Sequence, residues 1–138
     1  MCFTDFESFK KTVHFNKNNY EFGTSAESEV LGIIQTFFND PTIIPLEDGA
    51  DFDYIGDHKL VELKTRRCNR LAFNDTCIGV CKIERARKLC HKYDIYFVFK
   101  FLNGIWYHKF DPKEELLMGM INHKQHYFIS TKTLIKIE

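Results

Sequence analysis

The chain has 138 residues, 44% hydrophobic, 15% aromatic and 28% charged, with no formal net charge at neutral pH. These proportions fit one globular domain able to bury about two-thirds of its unfolded surface, and they exclude a disordered or low-complexity chain. No stretch approaches the ~18 apolar residues of a membrane span. The opening MCFTDFESFKK carries acids where a secretion signal needs a basic start and an apolar run, so an intracellular protein (cytoplasmic or nuclear) with reduced cysteines is expected. The charge is unevenly spread: residues 1–57 hold eleven acids and three lysines, and residues 58–138 hold sixteen basic and eight acidic residues. The basic surplus is densest over KTRRCNR and KIERARKLCHK, where a polyanion would be met if one is met at all.

FTDFESFKK reads as a short opening helix and KNNYEFG as a loop. TSAESEVLGIIQTFFND spaces Ala26, Val30, Ile33, Ile34, Phe37 and Phe38 as the apolar stripe of a helix, which Asn39-Asp40-Pro41 ends. TIIPL is a short strand at an edge, because Pro45 cannot donate to a sheet ladder. DFDYIGDHKLVELK reads as a hairpin, and GVCKIERARKLCHKY as a second helix with Ile83, Ala86, Cys90 and Tyr93 on one side. DIYFVFKFL is a strand buried on both faces, turned by Asn103-Gly104 into IWYHKF. DPKEELLMGMI reads as a helix with Pro112 in its first turn, and HYFIS and TLIKI as closing strands. The order predicts one mixed sheet flanked by helices, an α/β chain of the mixed-sheet α+β kind, in a single domain over 1–138.

The hairpin carries the chemistry. With Gly56-Asp57 as its turn, Asp51 faces Glu62; with Asp57-His58 as its turn, Asp53 faces Glu62 and Asp51 faces Lys64. Turn chemistry prefers Gly56-Asp57, since a primed turn with glycine first needs positive φ there. Either way Asp51, Asp53, Glu62 and Lys64 share a face, and Phe52, Tyr54, Val61 and Leu63 line the other; a bulge would break this alternation. Opposed carboxylates repel unless neutralised, and a hard divalent cation such as Mg²⁺ does so through their oxygens. The competing reading is a solvated strand pair of mixed charge.

An acidic strand, a tight turn and the segment Glu62-Leu63-Lys64 resemble the PD-(D/E)XK nuclease superfamily, with its restriction-endonuclease-like αβββαβ core. GTSAESEVL resembles the start of archaeal Holliday-junction resolvases, and DFDYI with VELKTRR is similar to small bacterial nuclease-like proteins. The resemblance covers about residues 23–101, leaving 102–138 as a C-terminal extension. Ala50 stands where the name-giving proline would precede Asp51, and two aspartates compete for one role; Asp53, followed by Tyr54-Ile55, is preferred over Asp51.

The resemblance implies a metal-dependent endonuclease. Asp53 (or Asp51), Glu62 and the backbone carbonyl of Leu63 would bind Mg²⁺ or Mn²⁺, Lys64 would orient the attacking water, and Glu27 would hold a second metal or an outer-shell water. Glu27 has a second reading, as partner of Thr24 in a capping box. Arg66, Arg67 and Arg70, with Lys82 and Arg85 on the second helix, are the candidates for holding phosphates. The implied partner is nucleic acid, DNA before RNA and branched DNA by analogy; the implied assembly is a homodimer.

Cys68, Cys77, Cys81 and Cys90 lack the close pairs of most zinc sites, and the apolar side of the second helix accounts for the last two. His123 and His126 would approach a common metal only on a helix. A lysine-, asparagine-, isoleucine- and phenylalanine-rich usage fits an A+T-rich source such as a virus or phage. The rivals to the nuclease are a catalytically inactive nucleic-acid-binding module of the same fold and a protein-interaction domain with a fortuitous charge cluster.

Overall fold

The computed structural model describes residues 29–138. The expected opening helix, the loop after it and Thr24, Ala26 and Glu27 lie outside the described residues. Among the described residues the chain is mixed α+β: two helices, a six-stranded mixed sheet and a three-stranded antiparallel sheet. No helix among them is long and apolar enough to cross a membrane.

The first helix, α1, is described over 29–37. Val30 and Ile34, four residues apart, are fully buried on its inner face. It ends because Asn39 takes a left-handed conformation (φ 48°), letting Asp40 donate its N–H to the Gln35 carbonyl and Asn39 to that of Thr36. A short edge strand follows, β1 (Ile44–Pro45), then β2 (Tyr54–Ile55) and β3 (Lys59–Thr65), all antiparallel neighbours. β4 (Asp75–Gly79), which the sequence pattern does not announce, leads into α2 (Val80–Leu89). β5 (Asp94–Phe101) then returns parallel to β3 over all seven of its residues, Lys59 opposite Asp94 through Thr65 opposite Lys100. Such a crossover needs an intervening segment, and α2 supplies it.

β6 (Gly104–Lys109) pairs back on β5, and β9 (Ile135–Lys136) closes the sheet in the order β1-β2-β3-β5-β6-β9. The turn is Leu102-Asn103, one residue earlier than expected, since Gly104 already faces Phe101. One face of the sheet packs Val61, Leu63, Tyr96 and Val98 against α1; the other packs Leu60, Ile95, Phe97 and Phe99 against Ile83 and Ala86 of α2. β5 is therefore buried on both faces, and each such side chain contributes about 1.5–3 kcal/mol of burial.

Two expectations fail here. A single sheet was expected, but β4, β7 (Leu117–Ile121) and β8 (Lys124–Ser130) form a second one. The segment DPKEELLMGMI is not a helix. A single turn forms over Asp111–Glu114, with the Asp111 side chain accepting the Lys113 N–H, and Leu117–Ile121 then runs as a strand. The cause lies downstream: Asn122 and His123 both have positive φ (50° and 64°), the signature of a two-residue primed hairpin turn, so β7 folds back on β8. Gly119 belongs to that pairing, since a Cβ there would stand 2.6 Å from the Phe128 ring.

The β2–β3 turn is held from outside. Asp40, at the exit of α1, ion-pairs Lys59 at 2.8 Å and accepts hydrogen bonds from the Thr42 amide and hydroxyl, while Thr42 Oγ1 accepts the Asp57 N–H. Gly56 lies beneath this cluster; a Cβ would meet Ile43 and Thr42 at 3.1 Å. The glycine is there for close approach, not for positive φ, so the turn is Asp57-His58 and Ile55 faces Leu60. The preference for a Gly56-Asp57 turn is thereby corrected.

Two stability measurements follow. Replacing His123, which is left-handed, by glycine should relieve strain and raise stability by about 0.5–1 kcal/mol in denaturant melts. Lys59, and then Thr42, hold the Asp40 carboxyl down from 3.8 to about 2. A depressed carboxyl adds stability above its unfolded value and loses it as pH falls through the folded one. Asp40→Asn should thus melt lower than wild type at pH 7, and the gap should close between about pH 4 and pH 2. A gap independent of pH would place the effect elsewhere.

Candidate active site

Asp51 and Asp53 lie just before β2 begins, and Glu62 stands on β3 beside them. Tyr54 faces Val61, yet Asp53 also donates its amide to the Val61 carbonyl at 2.9 Å. Two residues of one strand thus oppose one of the other, a bulge that kinks the chain at Asp53. The bulge breaks the expected alternation. Phe52 joins Leu60 in the core under α2, whereas Tyr54, Val61 and Leu63 line the core under α1. The prediction that these four share one apolar face is corrected accordingly.

Asp53 straddles Glu62. Its amide bonds the carbonyl of the residue before, and its Oδ2 accepts the N–H of Leu63, the residue after, at 2.6 Å. In a strand, a residue's N–H and C=O point to the same side, so the Leu63 carbonyl also faces the edge that Asp53 occupies. Glu62 itself is 4% exposed on the central strand, with Lys64 Nζ 3.2 Å from Oε1 and Lys82 Nζ 3.4 Å from Oε2. Oε2 is buried without a hydrogen bond.

Asp51 takes a different place. It is 6% exposed, its Oδ2 lies 2.8 Å from Nε of Arg85, and its backbone carbonyl accepts a hydrogen bond from Lys82 Nζ. Burial pushes the Asp51 carboxyl above its ordinary value, opposed by the charges of Lys82 and Arg85. Asp51 therefore fastens the acidic loop to α2, and Asp53 is the aspartate beside the Glu62-Leu63-Lys64 backbone. Lys82 and Arg85, three apart, lie on one side of α2 next to Ile83 and Ala86, the residues that seat the helix. That spacing on an amphipathic helix was the available signal that both belong to the site.

The other expected phosphate contacts separate. Arg66 donates to the Thr76 hydroxyl and the Cys77 carbonyl at 3.2 and 2.8 Å, tying the end of β3 to β4. Arg70 donates to the Thr131 carbonyl at 3.0 Å and lies over the Trp106 ring. Arg66 thus joins the two sheets, Arg70 ties the turn after the second sheet to the Trp106 ring of β6, and Arg67 is exposed. Cys68, Cys77, Cys81 and Cys90 are free thiols, and His123 sits in the β7–β8 turn rather than on a helix with His126. Glu27 lies outside the described residues.

Among the described residues, no three or more His, Cys, Asp or Glu gather as a metal-binding group. The donors that do fit a hard cation are two carboxylates and one carbonyl: Asp53, Glu62 with its unbonded Oε2, and Leu63 C=O.

Arg85→Met should cost about 3–5 kcal/mol, because it takes from a buried carboxylate the ion-pair partner that stands 2.8 Å from it. Adding Asp51→Asn to it should restore much of that loss. Urea melts of both variants check the pairing, and no recovery in the double variant would show that the two side chains act independently. No protein-family model matches the sequence, and no curated protein does either.

Proposed function

We propose that the protein is a divalent-metal-dependent endonuclease of the PD-(D/E)XK type, acting on nucleic acid and most readily on DNA. One observation carries the reading: a buried glutamate on a central strand has a lysine two residues on at 3.2 Å, while an aspartate bonds the amide between them. The succession of α1, β1, β2, β3, α2 and parallel β5, with β4 of the second sheet set in before α2, supports the restriction-endonuclease-like core that the resemblance implies. Asp53, Glu62 and the Leu63 carbonyl are oxygen donors of the kind that a hard cation takes.

Asp53, Glu62 and the Leu63 carbonyl would hold Mg²⁺ or Mn²⁺. When bound, such a cation lowers the pKa of a water ligand and offsets charge on the scissile phosphate. Lys64, about a third exposed at its side chain, supplies the chain's own share: its ammonium donates to the attacking oxygen and to a non-bridging phosphate oxygen as negative charge grows. Its base on the same strand as Glu62 fixes that reach. Asp51 and Arg85 keep the loop seated so that Asp53 stays beside Leu63. Binding of the nucleic acid would draw on phosphate contacts and fall steeply with salt.

The test incubates wild type and Lys64→Ala with labelled single strand, duplex, four-way junction and RNA, in Mg²⁺, Mn²⁺ or EDTA. Wild type should cut in metal and not in EDTA, and Lys64→Ala should be slower by about 10²-fold or more, the loss expected for a principal charge stabiliser. Asp53→Asn should abolish cutting. Salt-dependent binding without cleavage in every metal would instead identify an inactive binding module, and cleavage of RNA alone would reassign the substrate.

A further inference from the structure

The site gathers as many cations as acids. Asp51 and Glu62 are met by Arg85, Lys64 and Lys82, and Asp53 lies beside them on the Leu63 amide, so three acids and three cations stand together before any metal arrives. A divalent ion added to a neutral, half-buried cluster leaves an excess of positive charge, which is unfavourable at low dielectric. One resident cation must therefore yield.

We propose that Lys82 is a built-in counter-ion that occupies Glu62 until a divalent cation replaces it, and so sets the affinity of the site for metal. This rests on the metal-site reading above. Three features single out Lys82. Its Nζ stands 3.4 Å from Glu62 Oε2, an oxygen that has no hydrogen bond, so little bonding is lost when the two part. That same Nζ has a second anchor in the Asp51 carbonyl, which it keeps. It faces Glu62, a proposed metal ligand, whereas Arg85 lies against Asp51, which is not one. Lys64, in contrast, arises from the same strand as Glu62 and belongs to the proposed chemistry.

The consequence is competition between an ammonium and a metal for one carboxylate. Removing the Lys82 charge should tighten metal binding in the absence of substrate, by about tenfold, the size of effect that one adjacent unit charge commonly has on a carboxylate's proton affinity.

The experiment is calorimetric titration of Mn²⁺ alone into wild type, Lys82→Met and Lys82→Arg, with no nucleic acid present. Lys82→Met should bind Mn²⁺ about tenfold more tightly, and Lys82→Arg, which keeps the charge, should match wild type. Thermal melts in EDTA and in Mn²⁺ accompany the titration. The metal-free Lys82→Met protein should melt lower than wild type, and Mn²⁺ should raise its melting temperature by more. If Lys82→Met does not fold without metal, Lys82→Gln serves for the same comparison. Unchanged or weaker Mn²⁺ binding in the neutral variant overturns the inference while leaving the nuclease reading intact. A wild type that takes up no Mn²⁺ overturns both.

Discussion

Glu62 is a carboxylate on a central strand, almost wholly withdrawn from water, and its burial constrains everything around it. An isolated buried carboxylate would either take up a proton or unfold the strand. Here each of its oxygens meets a lysine, one from its own strand and one from α2. The helix that covers this face must therefore present cations as well as the apolar pair Ile83 and Ala86, and its seating on the sheet and its electrostatic task become one requirement. The parallel crossover from β3 to β5 is what puts that helix over Glu62 rather than elsewhere.

The second constraint is the bulge at Asp53. A regular ladder would have spent the amide of Leu63 on a neighbouring strand and turned Asp53 with the alternation. The bulge ends the ladder, hands the Leu63 amide to the aspartate, and leaves the strand edge lined by a carboxylate and a carbonyl. Bulges beside functional sites commonly re-aim a side chain in this way. The local disorder of pairing is compensated by the cluster at the far end of the hairpin, where Asp40, Thr42 and Lys59 tie the turn to the exit of α1. In the proposed nuclease these features divide the labour between Asp53 and Asp51: one faces the open edge, the other anchors the loop to Arg85.

The second sheet draws β4 from within residues 23–101 and β7 and β8 from beyond them. β4 and β8 pack Ile78 and Ile129 into the core beneath α2, and Arg66 and Arg70 are consumed in holding the second sheet and the turn after it to the first. Basic residues clustered in sequence thus serve different ends in space. Two hold the fold, two reach the acids from the helix, and the cation that follows Glu62 by two residues stays at the edge of solvent.

Much of this architecture was legible from the residues themselves. Val30 and Ile34, Ile83 and Ala86, and the continuous run of β5 carry periodicities that only one kind of element satisfies, and Glu62 and Lys64 share a strand face whatever their surroundings. Other features were decided by contacts between segments far apart in sequence. The hairpin register was read from the local chemistry of glycine, but Asp40 and Thr42, reaching over from the end of α1, made Gly56 a packing position. Asp51 and Asp53 are indistinguishable along the chain; a bulge and an arginine on α2 separate them. DPKEELLMGMI reads as a helix, and its last five residues become a strand because the turn after them offers β8 as a partner. Periodicity and residue type are local and survive in the sequence, whereas register, bulges and ion-pair choice depend on which distant groups compete for the same backbone amide or charge, and that competition exists only in the folded chain.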